Sequence, residues 1–316
     1  MRKSDKKTVK VRFEGFWDGF EPKIFLQQFP QVGESYNLVP SREYEILIFG
    51  PFQRRKIRGP LGRDRNAVHL RDGRILRSMP TPHPRRGART LFVTGENVEP
   101  DLERTDFAIG FSRIVDNPRF LRVPIWAKRL TRHGIDPRSF VGRREPDMAW
   151  KLRPHFANYI YSHHVAHRDA LFEMLSAIDA VRAPAACRSN VQPIGASLKD
   201  KLDFQKETRL TIACENEFWP GYTTEKLLEA HVTGTVPIYW GDPMVNIDFN
   251  PYSFINISNF GSLRDAKEYI SDLIHNEEGI FDILSQPIFS NDKLPPCLES
   301  NVVARFFSQV FDDIAC

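Results

Sequence analysis

The chain has 316 residues, 41% apolar and 27% charged, a composition that excludes a disordered chain and fits a globular one. Two domains are expected, because single hydrophobic cores stop growing near ~250–300 residues. The net charge of +4 is too small to demand a polyanionic partner. Four cysteines (Cys187, Cys214, Cys297, Cys316) show neither metal-ligand spacing nor a disulfide framework, so reduced thiols and a cytosolic compartment are expected. No run approaches the ~20 apolar residues of a membrane-spanning helix. The opening MRKSDKKTVKVRF lacks the apolar region of a signal peptide.

In chain order, residues 9–13 alternate as a first strand and 21–29 can form a short helix. Residues 44–49 are a compact apolar strand ending at Gly50. A strongly basic stretch follows. Arg54, Arg55, Lys56, Arg58, Arg63, Arg65, Arg71, Arg74, Arg77, Arg85, Arg86 and Arg89 stand there against Asp64 and Asp72. It lacks the interleaved aromatics that stack on bases, so nucleic acid is not expected as a partner. A solvated loop, an anionic membrane surface or a phosphorylated glycan acceptor are the readings that remain.

Residues 90–93 form another strand, which stops at Thr94-Gly95-Glu96-Asn97. Glu96 therefore stands at a strand's carboxyl end, where a carboxylate could deprotonate a hydroxyl as general base. A glutamate capping the next segment is the alternative. Residues 107–111 form a further strand, and strands separated by helical or irregular pieces point to a parallel sheet of Rossmann type. Residues 128–154, rich in Arg and Pro, read as loop, short helix and linker, which sets the domains at 1–150 and 151–316. The last helix could pack back on the first domain.

The second half opens with a short strand at 158–162 and a helix over 169–178. His163, His164 and His167 invite a metal. Adjacent histidines at a strand end rarely share one ion, and no carboxylate is spaced to complete a set, so no metal is expected. Arg168, at the start of a helix that follows a strand, can grip diphosphate oxygens bidentately. Arg188 reads as a loop charge.

Residues 211–242 read as strand, loop, helix and strand, a right-handed parallel crossover. Ligands in such sheets sit beyond the carboxyl ends of the strands, where Glu215, Asn216, Tyr222, Thr223, Glu225 and Lys226 fall. A helix N-terminus holds phosphate through unpaired N–H groups and about half a positive charge. Lys226 adds a full positive charge in the first turn, which suggests an anionic partner, and Glu225 can accept hydrogen bonds from sugar hydroxyls. These groups favour a sugar nucleotide. The competing reading is an amphipathic helix with a Thr cap and a solvated Glu-Lys pair. Farther on, 263–275 and 301–314 read as amphipathic helices. The latter carries Val302, Val303, Phe306, Phe307, Val310 and Phe311 on one side, as core packing. Asp312 and Asp313 on its polar face argue against a membrane-surface helix.

CEN at 214–216, GYTTEKLLEA at 221–230 and GTVPIYWGDP at 234–243 resemble the donor signature of the α1,3/4-fucosyltransferases, glycosyltransferase family 10. Members of that family typically read FEN, Y-[VI]-T-E-K and A-G-x-V-P-[VI]-x-x-G. Here Cys214 replaces the Phe and Thr223 the Val or Ile. TGEN at 94–97, with Pro100 and then DFAIGF at 106–111, resembles the family's acceptor-domain signature, and PRFLRVPIW at 118–126 is similar too. The resemblance implies an α/β fold of the GT-B type, two Rossmann-like domains facing across a cleft, acceptor domain first and GDP-fucose-binding domain second. It implies an inverting transfer of L-fucose from GDP-β-L-fucose to the 3-hydroxyl of an N-acetylglucosamine or glucose unit of a glycan acceptor. Glu96 would be the general base. Arg168 would contact the donor phosphates, where the family has S-N-x-x-x-x-x-R; Ser162 is kept, His163 replaces the Asn and the spacing is shorter. Asn216, Tyr222, Thr224, Glu225 and Lys226 would bind the donor, with Glu225 also facing the oxocarbenium-like sugar as a second catalytic group. No metal and no cofactor besides the donor is implied. A chain beginning at a strand resembles bacterial members, which implies a cytoplasmic protein, with peripheral inner-membrane contact through the basic stretch as an open alternative. Another GDP-sugar transferase on the same fold, or a non-catalytic glycan- or polyanion-binding protein, also stays open.

Overall fold

A computed structural model describes residues 6–52, 67–69, 75–114 and 117–312. The basic residues Arg54, Arg55, Lys56, Arg58, Arg63, Arg65, Arg71 and Arg74 lie outside the described residues, and so does Cys316. The chain divides into two units, one of Met1–Asp136 with Pro295–Cys316, the other of Pro137–Leu294.

In the first unit, β1 (Lys7–Glu14) leads to two short helices, α1 (Pro22–Gln28) and α2 (Pro30–Ser35). Each begins with proline, whose missing N–H falls where no intrahelical bond is available anyway. The strands β2 (Tyr36–Pro40), β3 (Ile46–Phe49), β4 (Ala67–His69), β5 (Ile75–Ser78), β6 (Arg89–Val93), β7 (Val98–Glu99), β8 (Phe107–Gly110) and β9 (Phe120–Arg122) follow, then α3 (Ile125–His133). Six of them form a sheet in the order β2-β1-β3-β6-β8-β9, every neighbouring pair parallel. The middle strand β3 is a continuous apolar run and β6 is buried from Thr90 to Val93, as a parallel sheet covered on both faces requires. A small second sheet pairs β4 antiparallel and β7 parallel to β5.

The second unit begins with two 3₁₀ turns, Pro137–Phe140 and Met148–Leu152. Phe140 packs edge-on against Phe289, and the Trp150 Nε1–H donates to the Arg209 carbonyl at 2.9 Å. These aromatic anchors bind residues 137–152 to the second unit, so the chain divides before 137, where composition alone placed the change near 150. The elements are β10 (His155–Asn158), α4 (Ala166–Ser176), β11 (Val181–Arg182), α5 (Leu198–Lys206), β12 (Thr208–Cys214), α6 (Glu225–Val232), β13 (Val236–Trp240), β14 (Ile255–Asn256), α7 (Leu263–Leu273) and α8 (Glu277–Ser285). The sheet order is β11-β10-β12-β13-β14, again all parallel. The strand expected at 158–162 lies earlier, at β10. The helix expected at 169 starts at Ala166, which puts Arg168 inside its first turn. Buried Asn158 fastens β10 to β12 through three Nδ2 contacts, to Thr208 Oγ1, Leu210 O and Thr211 Oγ1.

The chain returns to the first unit as α9 (Ser300–Asp312). Phe307 meets Phe25 and Phe29 at ring centroids of 5.9 and 5.2 Å. The Tyr36 hydroxyl donates to Asp312 at 2.8 Å, and Lys7 Nζ donates to the Phe311 carbonyl at 2.8 Å. The apolar row of this helix is core packing, as its spacing indicates. Among the described residues, no helix is long and apolar enough to cross a membrane.

Candidate active site

The carboxyl end of β12 runs into Glu215, whose backbone N–H still pairs with the Trp240 carbonyl at 2.8 Å. Its side chain is fully buried. Oε1 accepts from the Thr224 backbone N–H at 2.7 Å, and Oε2 from the Thr224 hydroxyl at 2.6 Å and from Lys226 Nζ at 3.1 Å. Thr224 is the N-cap of α6, yet its hydroxyl does not cap the helix. Glu215 therefore places a carboxylate at the α6 N-terminus, where the helix dipole favours negative charge. Gly241 makes room for it: a Cβ there would stand 2.5 Å from Glu215 Cγ.

Lys226 is bonded on several sides. Its Nζ also donates to Thr224 Oγ1 at 2.7 Å and lies 3.5 Å from Glu225 Oε1. Burial works against the lysine charge, but the Glu215 and Glu225 carboxylates outweigh it and hold the pKa above the usual lysine value. Burial pushes the Glu215 carboxyl up, and the Lys226 charge draws it back. The alternative of a solvated Glu-Lys pair is corrected here, because both side chains are largely buried and bonded. The lysine is ion-paired to a buried carboxylate from the preceding strand end, a residue that the sequence placed in the loop without a role.

Arg168 is buried, with its guanidinium 4.1 Å over the Tyr161 ring. Its Nε donates to the Cys214 carbonyl at 3.2 Å, and its Nη2 donates to Asn216 Oδ1. Tyr161 is itself pinned to β12, donating to the Ile212 carbonyl at 2.6 Å and accepting from the Cys214 N–H at 2.7 Å. Arg168, Asn216, Thr224, Glu225 and Lys226 thus come together around Glu215. Lys226 faces two carboxylates, Glu215 and Glu225, while Arg168 is held by Asn216 and the Cys214 carbonyl. Asn216 is exposed. Tyr222 is buried, its N–H closing a turn onto the Trp219 carbonyl at 3.1 Å.

Two supporting residues escaped the sequence reading. Asp242 is buried and ties the loop down, accepting from Gly221 N–H at 2.7 Å, the Thr223 hydroxyl at 2.9 Å and Met244 N–H at 2.7 Å. His167 has Nε2 at 3.1 Å from the Glu215 carbonyl and its ring 3.8 Å from Trp240. The three histidines do not act together. His163 is exposed, His167 serves the Glu215 loop, and His164 meets Asp169 and Cys187. The reading that no carboxylate is spaced to join the histidines is corrected: helix α4 brings Asp169 to His164. Arg188 is a loop residue, as read, ion-paired to Glu173 at 2.6 Å.

In the first unit, Glu96 stands just past β6. Its N–H donates to Thr94 Oγ1 at 3.0 Å, that hydroxyl donates to the Glu96 carbonyl at 3.0 Å, and Val98 N–H donates to the same carbonyl at 2.7 Å. The backbone is fastened while the side chain is exposed. Beneath this turn, Lys128 Nζ donates to the Thr94 carbonyl at 3.0 Å, and burial pushes its pKa down to about 8.

Solved structures share this architecture. An α1,3-fucosyltransferase crystal structure superposes with a TM-score of 0.75 over 99% of this chain and 92% of that one, at 23% identity. A structure of α1,3-fucosyltransferase with GDP-fucose gives 0.71 over 100% and 94%, at 21% identity. The fold is therefore that of the GT-B glycosyltransferases, with two Rossmann-like parallel sheets. Residues 150–282 match the glycosyltransferase family 10 (fucosyltransferase) C-terminal model, and residues 85–128 match the α-(1,3)-fucosyltransferase FucT N-terminal domain. The chain belongs to glycosyltransferase family 10, the fucosyltransferase family. It is 30% identical over 225 residues to α-(1,3)-fucosyltransferase FucT of Helicobacter pylori, covering 62% of this chain and 46% of that protein. It is 30% identical over 178 residues to a putative fucosyltransferase of Acanthamoeba polyphaga mimivirus, covering 50% and 29%. The chain spans less than half the length of these curated relatives.

Proposed function

We propose that the protein is an inverting fucosyltransferase, moving L-fucose from GDP-β-L-fucose to the 3-hydroxyl of an N-acetylglucosamine or glucose unit of a glycan. The observation that carries this reading is the cluster past β12, where Arg168, Asn216, Glu225 and Lys226 gather at the start of α6 around buried Glu215. Such a cluster suits a diphosphate: two cations are held in place before the ligand arrives, so little reorganisation is needed as charge develops on the leaving group. The longest of the Lys226 contacts, 3.5 Å to Glu225, is the one a phosphate oxygen would replace. Glu225 then becomes available to sugar hydroxyls or to the positive charge growing on the fucosyl ring. Inversion in a single displacement needs one base, and Glu96 takes the acceptor proton. Arg168, Lys226 and the α6 dipole hold the departing GDP.

Thermal melting with nucleotides tests the donor class before any acceptor is known. GDP at one hundred times its dissociation constant stabilises the fold by ~2.7 kcal/mol, a shift of a few degrees. UDP, CMP and NAD should give none. A shift with UDP and none with GDP would leave the fold standing and sink the fucosyl assignment. Release of GDP from GDP-fucose only when an N-acetylglucosamine-bearing acceptor is present then checks the transfer itself.

A further inference from the structure

We propose that His164, Asp169 and Cys187 form a binding site for a zinc-class divalent ion, separate from the groups assigned to fucosyl transfer. His164 Nδ1 lies 2.9 Å from Asp169 Oδ2 and 3.2 Å from Cys187 Sγ. Cys187 Sγ is 3.6 Å from Asp169 Oδ1. One ligand atom from each residue can be chosen so that all lie within 4.8 Å of one another. A ring nitrogen carries either one proton or one lone pair, so Nδ1 can satisfy only one of its two neighbours. A Cys-His-carboxylate relay would engage both ring nitrogens. Here one nitrogen meets both groups, and the three donors converge on a common point. Two ligands at ~2.0–2.3 Å from a tetrahedral zinc stand roughly 3.3–3.7 Å apart, close to the separations here. The mixture of imidazole, thiolate and carboxylate is also a zinc donor set.

The surroundings suit an ion. The Tyr159 hydroxyl donates to Asp169 Oδ1 at 2.9 Å and lies 3.2 Å from Cys187 Sγ, an outer hydrogen bond of the kind that orients ligating carboxylates. The Cys187 N–H donates to the Tyr161 carbonyl at 3.0 Å and fixes the thiol's position. Arg188 Nε stands 3.5 Å from Asp169 Oδ1, but its Nη2 pairs with Glu173, so Asp169 and a Cys187 thiolate together oppose a divalent charge. The His164 side chain is 65% exposed, which gives the ion an entry path and leaves a fourth position to water. On binding, the Cys187 thiol proton passes to solvent and the sulfur bonds the ion; nothing is oxidised or reduced. The ion would pin the loop before α4 and the Cys187 turn to the helix turn that carries Arg168. The spacing signal is weak because the partners lie 5 and 23 residues beyond His164.

Cobalt(II) titration of the full chain reads the site directly, through the near-ultraviolet thiolate-to-cobalt absorption, with zinc as competitor. One equivalent should bind with that band, zinc should displace it, and zinc should raise the melting temperature. Cys187→Ala should lose the band. His164→Ala, a change at an exposed ring that leaves the fold intact, should weaken binding by at least ~10-fold. No band with the wild-type chain overturns the proposal. So does a band that survives in Cys187→Ala, which would place the ion on Cys214, Cys297 or Cys316, or an affinity unchanged in His164→Ala.

Discussion

The loop after β12 and the turn after β6 occupy the same place in their sheets, just beyond the carboxyl end of an inner parallel strand, and they are built in opposite ways. After β12 the carboxylate of Glu215 is fully buried, accepts three hydrogen bonds and neutralises a lysine. After β6 the backbone of Glu96 is fastened by Thr94 and Val98, while its carboxylate is exposed. The difference matches the two tasks proposed for these turns. A group that must hold charged partners in fixed positions gains from burial, because a low dielectric strengthens each bond. A group that must take a proton from one molecule and release it to solvent gains from exposure and from a free side chain on a fixed backbone.

The largest expected effect lies on the exposed side. Glu96→Gln keeps the shape and removes the base, so transfer should fall by ~10²–10⁴-fold while GDP affinity stays nearly unchanged. A variant retaining more than about a tenth of the wild-type rate would remove Glu96 from the base role. On the buried side the loss should fall on stability as well. Glu215→Ala leaves Lys226 and the Thr224 N–H without their main acceptor, and breaking such a buried pair costs about 3 kcal/mol or more in urea unfolding. The double variant Glu215→Ala/Lys226→Met should recover part of that loss, since no unpaired charge is left behind. If the single variant cost under about 1 kcal/mol, the contrast between the two turns would collapse.

A smaller effect sharpens the comparison within the cluster. Arg168→Ala and Lys226→Ala should each weaken GDP binding by roughly 1.5–3 kcal/mol, read by calorimetry. An unchanged dissociation constant for Lys226→Ala would mean that Glu215 and Glu225 keep the lysine from the ligand altogether.

Much of this arrangement can be read from residue order, and the unread part has a physical reason. The strand-loop-helix-strand of 211–242 is legible because the apolar period changes where the chain changes element. Gly234, with φ +64, follows the end of α6 in the left-handed conformation that glycine adopts without strain. The α9 row of Val303, Phe306, Phe307, Val310 and Phe311 is legible for the same reason. Glu215 is placed in the ligand loop by residue order, but its burial and its bond to Lys226 are not legible there. Only folding shows that Gly241, on the neighbouring strand's end, opens the space that takes its side chain inside. Asp242 was missed in the same way: its partners Gly221 and Thr223 lie about a whole helix earlier. The aromatic anchors Phe140 and Trp150 were hidden in a stretch without a period, and so the boundary was set near 150.

The smallest effect concerns Lys128, which lies under the Glu96 turn. Its folded pKa of about 8 is below the ordinary lysine value of 10.5, because burial disfavours the charged form. Below pH 8 both states are protonated, and the cost of covering the charge is present in full. Between 8 and 10.5 the unfolded chain binds more protons than the folded one, so stability rises with pH across that window. One pKa unit is worth ~1.4 kcal/mol, and the partial exposure of the lysine reduces the whole effect to about 1 kcal/mol. Cys214 works the other way above the ordinary thiol value of 9.0, since burial pushes its thiol up to about 12. The quantity to read is therefore the difference between wild type and Lys128→Met in urea unfolding at pH 7.5 and pH 10, where other titrations cancel. Wild type should gain on the variant by about 1 kcal/mol over that interval. Parallel pH curves for the two proteins would show that Lys128 is solvated, and that the Glu96 turn rests on its own hydrogen bonds to Thr94.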